Sequence, residues 1–235
     1  MHIHQFIRTM EQIAPAYLAE EYDEGRIGLV VEGTQRIERV VCALDVTPKV
    51  VEAAIAAAAD MLVVHHTPLW HPVTRIEGRC AELLRMLLST ETNVYVMHSN
   101  FDRAAGGIND TLAGMLELGE IEHMTMGVVG TCGITVDEIV RRLDGGARVY
   151  GDIQNPGKLA VVGGSGFDPE LIDEAARLGA DAFLSSELKH NVALASSLPL
   201  IESTHYALES PGMRHLSKRM GWEFVSDPPR MVIYQ

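Results

Sequence analysis

Histidines and carboxylates gather at three places along this 235-residue chain, and their types suit the binding of divalent cations. His65 and His66 are adjacent and directly follow the apolar run Met61-Leu62-Val63-Val64. His98-Ser99-Asn100-Phe101-Asp102 follows a second apolar run, and His205 and Glu209 stand four residues apart after a third. A histidine doublet at the point where an apolar strand gives way to a loop delivers two imidazoles into one small volume, one nitrogen for each of two neighbouring cations. His65, His66 and His205 with Asp102 and Glu209 form a nitrogen-oxygen set too large for one ordinary catalytic ion and suited to two ions that share the carboxylates. Two divalent ions less two carboxylates leave a local excess of about +2, which lowers the pKa of a bridging water and attracts an anionic substrate.

Other polar residues are read less specifically. His98 stands outside the ligand set, either as a loop histidine or as a proton carrier beside the site. Asp45 follows a strand and is held in reserve, its ordinary reading being a helix cap. Ser210-Pro211 has the form of a cap and first turn of a following helix, so His205 and Glu209 are expected in the loop before it, where the helix dipole favours a carboxylate. Gly163-Gly164-Ser165-Gly166 could cradle phosphate but lacks a following Lys-Thr, and reads better as a tight strand-to-helix turn. Glu187, Lys189 and His190 form a polar patch at a helix start, ordinarily solvated charge and otherwise a substrate contact, and Trp70, beside the doublet, could stack on a base or pack on the site rim.

The elements that must hold these residues alternate in a βαβ rhythm. Residues 40–44 read as a strand, 48–58 as a helix and 61–64 as a strand. Thr47 before Pro48 supplies a cap and a proline at the first helical position, where a missing N–H costs nothing. Helices at 79–89 and 108–118 frame a strand at 93–97. Strands at 124–131 and 159–163 alternate with helices at 136–143 and 169–178, and strands at 182–184 and 200–203 enclose a further helix. The order predicts an α/β fold with largely parallel sheets flanked by helices, since right-handed helical crossovers join parallel strands. The chain reads as one unit of residues 1–235, interlinking two lobes whose join is expected near 120–157, around the glycine-rich stretch 145–157.

Composition narrows the function. Apolar residues make up 47% of the chain, ample for a buried core. Nineteen Lys and Arg stand against 32 Asp and Glu, a balance of −13 with no basic run, which argues against a general nucleic-acid surface. Cys42, Cys80 and Cys132 lie far apart without CxxC spacing, so neither a disulfide framework nor a thiolate zinc site is expected, and a reducing cytoplasm fits. No apolar stretch approaches the roughly 20 residues that cross a bilayer, and the N-terminus lacks the pattern of a signal peptide.

Taken together, His65-His66-Thr67-Pro68-Leu69-Trp70, the stretch His98 to Asp102 running into Gly106-Gly107-Ile108-Asn109-Asp110, and His205-Tyr206-Ala207-Leu208-Glu209 resemble the Nif-three-like family, also called the GTP cyclohydrolase I type 2 or dinuclear-metal-centre family. The likeness spans nearly the whole chain. By resemblance, His65, His66, Asp102, His205 and Glu209 are metal ligands, with Asp102 and Glu209 bridging two divalent transition-metal ions, Zn, Fe, Mn, Co or Ni. The resemblance also implies a homohexamer whose sites face an internal cavity. The chain departs from the family pattern where Thr67 precedes Pro68, where Ala207-Leu208 replaces a more polar pair, and in the segment Ser185 to Asn191.

The expected function is a metal-dependent hydrolase resembling GTP cyclohydrolase I type 2, in which water activated by two bridged ions attacks a nucleotide or another phosphorylated small molecule. Opening a purine ring needs a proton shuttle, for which His98 and Glu187 are the candidates, with Trp70 and His190 as substrate contacts. A phosphatase or phosphodiesterase would use the same ions. The alternative from another class is a regulatory, assembly or storage protein that holds metal without turnover. Catalytic ions keep exchangeable waters, whereas structural ions are enclosed.

Overall fold

The computed structural model describes residues 1–232. In chain order the elements are α1 Ile3–Ile13, β1 Gly28–Val31, β2 Val40–Ala43, α2 Pro48–Ala56, β3 Met61–Val64, α3 Gly78–Ser89, β4 Asn93–Val96 and α4 Ser99–Arg103. There follow α5 Ile108–Met115, β5 Gly119–His123, β6 Val128–Thr131, α6 Val136–Arg142, β7 Ala147–Tyr150 and β8 Lys158–Val161. Last come α7 Pro169–Arg177, β9 Ala182–Ser185, α8 His190–Ala195, β10 Leu200–Ser203, α9 His205–Met220 and β11 Glu223–Phe224. They form two compact units, one of Met1–Ala104 with the segment from Met213 onward, the other of Ala105–Gly212.

The first unit holds a five-stranded sheet in the order β1-β4-β3-β2-β11. β4, β3, β2 and β11 run parallel, and β1 closes the edge antiparallel to β4. Every residue of β3 and β4 is buried, as expected for parallel strands covered on both faces. Val41, Ala43, Leu62, Val64, Val94 and Val96 pack there with Val50, Val51 and Ala54 of α2 and Leu83 and Leu87 of α3. Thr47 caps α2 through the Val50 N–H at 3.1 Å, with Pro48 in the first turn, so the predicted start of that helix holds. Upstream, α1 buries Ile3, Phe6 and Met10, whose spacing of three and four residues defines one helical face.

The second unit holds a six-stranded sheet in the order β5-β6-β8-β9-β10-β7. Here β8, β9 and β10 are parallel, while β5 with β6, β6 with β8 and β7 with β10 are antiparallel. The architecture is α/β with two helix-flanked sheets, and the second sheet is mixed; its β5–β6 pair is joined by a hairpin-length connection, which can link only antiparallel strands. Met124 to Gly127 is such a turn, closed by the Met124 N–H on the Gly127 carbonyl at 3.0 Å. The glycine-rich stretch 145–157, expected to join two lobes, instead lies inside this unit and contains β7. Its glycines answer a local need: a Cβ on Gly145 would lie 2.6 Å from Thr204 Oγ1, and Gly146 has φ +68°. No helix among the described residues is long and apolar enough to cross a membrane.

Candidate metal centre

In the first unit the donor residues extend the three central strands. The parallel register pairs Ala43 with Val64 and Val64 with Val96, so two residues further on Asp45, His66 and His98 stand level at the carboxyl ends of β2, β3 and β4. The amides of His65 and His66 both donate to the Leu44 carbonyl, at 3.1 and 3.0 Å, which pins the doublet to the end of β2. His65 is fully buried and its Nδ1 lies 2.7 Å from the Met97 carbonyl. His66 Nδ1 lies 2.7 Å from Asp45 Oδ1, and His98 Nδ1 lies 2.8 Å from Asp23 Oδ1.

A carbonyl or carboxylate oxygen can only accept, so each Nδ1 donates to its partner, and in the neutral ring this leaves Nε2 as the nitrogen that can ligate a metal. Donor atoms of His65, His66 and His98 lie within 4.8 Å of one another. His65 Nε2 is 3.5 Å from Asp102 Oδ1, a separation at which an imidazole nitrogen and a carboxylate oxygen can share one cation. The residues therefore fit a divalent metal on their own chemistry. An oxygen acceptor behind a ligating imidazole is the usual means of fixing its tautomer and orientation.

Asp23 is fully buried on the 3-10 turn Glu21–Asp23 and accepts from the Ser99 amide at 3.1 Å and from the Ser99 hydroxyl as well as from His98. Burial works to raise its pKa, but the hydrogen bonds from His98 and Ser99 prevail and hold the carboxyl below its usual 3.8. Burial, with the carboxylates of Asp23, Asp102 and Glu20 around it, pushes the Tyr22 phenol up to about 12. Trp70 is 42% exposed and meets the His98 ring edge-on, with centroids 5.5 Å apart.

In the second unit Glu187 and His205 follow the parallel strands β9 and β10, and a glycine turn follows their parallel neighbour β8. His205 opens α9, where the Thr204 hydroxyl caps by accepting from the Ala207 amide at 3.2 Å. Positions four apart share a helical face, and His205 Nε2 lies 2.9 Å from Glu209 Oε2. Glu187, just past β9, takes His205 Nδ1 at 2.8 Å, so here too Nε2 is the nitrogen turned toward a carboxylate. Gly164 follows β8 with φ +70°, and a Cβ there would come within 2.2 Å of Glu209 Oε1. The glycine turn thus makes room for the buried Glu209 carboxylate. Two of its amides are already engaged, Gly163 by Asn109 Oδ1 and Gly166 by Ser185 Oγ, each at 2.8 Å.

The structure groups His65, His66, His98 and Asp102 in the first unit, and His205, Glu209 and Glu187 in the second. One expectation is corrected: His205 and Glu209 do not lie in a loop before a helix starting at Ser210-Pro211. The helix starts at His205, and Pro211 sits inside it, because Thr204 supplies the cap that the sequence reading gave to Ser210. Proline at 211 leaves the Ala207 carbonyl without its helical N–H, which costs one hydrogen bond without ending the helix. Glu187 orients His205. His190 is exposed at the start of α8 and belongs to none of the candidate donor groups among the described residues. The sequence reading missed Asp23, which carries no motif, and left Asp45 in reserve; the strand register that sets it level with His66 comes from the structure.

Comparison with known proteins agrees with the motifs. The family model for Duf34/NIF3 (NGG1p interacting factor 3) matches residues 1–228. A Streptomyces coelicolor protein described as a GTP cyclohydrolase 1 type 2 homolog is 29% identical over 266 residues, covering 95% of this chain and 92% of its own. A Pyrococcus abyssi protein of the same description is 30% identical over 226 residues, covering 86% and 87%. Among solved structures, reduced HcgD from Methanocaldococcus jannaschii superposes with a TM-score of 0.82 at 27% identity, covering 95% of this chain and 96% of that one. A Bacillus cereus protein related to NIF3 shares the fold, with a TM-score of 0.86 at 19% identity and 99% of both chains covered. The chain belongs to the Duf34/NIF3 family.

Proposed function

We propose that the protein is a metal-dependent hydrolase in which His65, His66, Asp102, His205 and Glu209 hold two divalent transition-metal ions and the substrate is a nucleotide or another phosphorylated small molecule. The observation that carries the reading is the common orientation of the imidazoles. His65, His66, His98 and His205 each commit Nδ1 to an oxygen acceptor and so present Nε2. Bound there, divalent ions would lower the pKa of a water and stabilise negative charge developing on the substrate. The chain's own residues do the rest: Met97, Asp45 and Glu187 fix the tautomers, Gly164 leaves space for the Glu209 carboxylate, and His98 with Asp23 behind it can accept or return a proton at Nε2.

Access favours turnover over storage. A purely structural ion is enclosed, whereas the His66 side chain is 25% exposed and Trp70 beside it is 42% exposed. The relatives described as GTP cyclohydrolase 1 type 2 homologs support a nucleotide as substrate.

The test is metal analysis of purified His66→Ala and Glu209→Ala variants, followed by a metal-replete activity screen against nucleotides and phosphoesters with Asp102→Ala as control. Each alanine variant should lose at least one ion while keeping its fold, and the activity should vanish in the Asp102 variant. Full occupancy in the variants refutes the ligand assignment, and activity that survives Asp102→Ala refutes the mechanism. The same reading includes the family's homohexamer, for which light scattering should give a mass near six times 25.7 kDa.

A further inference from the structure

One cluster in the first unit takes no part in holding metal and still borders the imidazoles. Arg26 lies with its guanidinium carbon 4.9 Å from the centre of the Trp70 ring, and its Nε donates to the Trp70 carbonyl at 2.6 Å. Arg26 is half-buried and makes no ion pair with a carboxylate among the described residues, although the chain carries 32 acidic residues. Tyr22 is 50% exposed, and its ring centre lies 6.2 Å from Trp70 and 6.1 Å from His98.

Two exposed aromatic rings and an uncompensated guanidinium therefore stand together beside His98, drawn from two separate stretches of chain. An indole partly open to water suits a flat conjugated ligand. A guanidinium held by its Nε alone keeps its outer N–H groups for an anion, in the fork that matches phosphate.

We infer that Tyr22, Arg26 and Trp70 form a recognition wall for a nucleoside phosphate, with the base against Trp70 and the phosphate on Arg26. This deepens the hydrolase reading by naming the substrate class, and rests on that reading only for the role of the neighbouring imidazoles. Neither Trp70 nor Arg26 is a metal donor, so recognition and metal binding can be separated by substitution.

The experiment is calorimetric titration of the purified protein with GMP, AMP, guanosine and ribose 5-phosphate, for the wild type and the Trp70→Leu, Trp70→Phe and Arg26→Gln variants, with metal content measured in parallel. The wild type should bind a nucleotide more tightly than ribose 5-phosphate. Trp70→Leu should weaken nucleotide binding roughly 5- to 150-fold, the range found on removing base-stacking aromatics, and Trp70→Phe should retain most of it. Arg26→Gln should erase the advantage of GMP over guanosine. All variants should keep the wild-type metal content.

Absence of nucleotide binding, equal binding of ribose 5-phosphate, or a nucleotide affinity unchanged in Trp70→Leu would overturn the inference. Nucleotide binding that depends on Trp70 but leads to no turnover leaves the wall standing and removes the hydrolase reading. Turnover of phosphoesters that is indifferent to Trp70 does the reverse.

Discussion

Substituting Gly164 by alanine separates the two demands that the glycine turn meets. The first is conformational: Gly164 has φ +70°, and an L-residue in that region costs roughly 1–2 kcal/mol. For a chain of this size that corresponds to a fall in melting temperature of about 2–8 °C. The second is steric: the new methyl would stand 2.2 Å from Glu209 Oε1 and 3.3 Å from His205 Nε2, and the carboxylate must move away. Moving one donor should weaken metal binding at least as much as losing an orienting partner does, about 10- to 100-fold. Gly179→Ala is the matched control. Gly179 has φ +82°, and nothing lies within 4 Å of a Cβ built there, so it carries the backbone penalty without the clash. Melting curves with and without chelator, together with competition against a metal-binding dye, read both effects. The two variants should lose similar stability when metal-free, and only Gly164→Ala should lose metal affinity. Equal metal affinity in the two variants would refute the claim that this glycine exists to seat Glu209.

Three further substitutions probe the supports. Asp45→Ala should reduce metal affinity about 10- to 100-fold by freeing the His66 ring, with Asp45→Asn intermediate because an amide oxygen still accepts from Nδ1; titration with Zn or Mn checks the order. Asp23→Asn should change how stability depends on pH. The Asp23 carboxyl is held below 3.8, so its contribution is fully present above the unfolded value and fades as pH falls through the lower folded one. Urea midpoints of wild type and variant should thus differ most above about pH 4 and converge in stronger acid, and a constant gap would refute the assignment. Thr47→Ala removes the acceptor for the Val50 amide and the hydroxyl that donates to Asp227 at 2.6 Å, and should cost about 1–2 kcal/mol by urea denaturation without changing metal content.

The sequence revealed the interior of each sheet and concealed its borders. The strands read correctly, β2, β3, β4, β6, β8, β9 and β10, are the inner ones, and the four missed, β1, β5, β7 and β11, are the edges of the two sheets. An inner strand is covered on both faces and must be a continuous apolar run, as in Met61–Val64 or Ala182–Ser185, where every residue is buried. An edge strand needs no such run: Gly119–His123 reads GEIEH and leaves four of its five residues exposed. Periodicity therefore carries no signal there, and pairing is decided by the neighbour. Helix α1 escaped for a different reason. Its buried face is well spaced, but the cap is His2, whose Nδ1 accepts from the His4 amide at 3.3 Å, and histidine is not among the residues that mark a helix start.

At the candidate site, legibility followed the chemistry of each residue rather than its importance. Three imidazoles and two carboxylates were visible because each follows an apolar run, where the loops at strand ends gather side chains that can bind a cation. The acceptors behind the imidazoles were hidden, since a backbone carbonyl such as that of Met97 leaves no mark in a sequence and Asp23 belongs to a turn of ordinary composition. Asp45 became assignable only with the strand register. Once β2, β3 and β4 are aligned in parallel with Ala43, Val64 and Val96 level, the second residue beyond each strand falls at the same height, giving aspartate, histidine and histidine. A carboxylate one strand away from a histidine is close enough to orient it, and the distance is 2.7 Å. Extending the register of the second unit sets Gly164, Glu187 and Thr204 level beyond β8, β9 and β10, with His205 one residue further on. Strand register, read past the last paired residue, thus separates the aspartate that aims an imidazole from the aspartate that merely caps a helix.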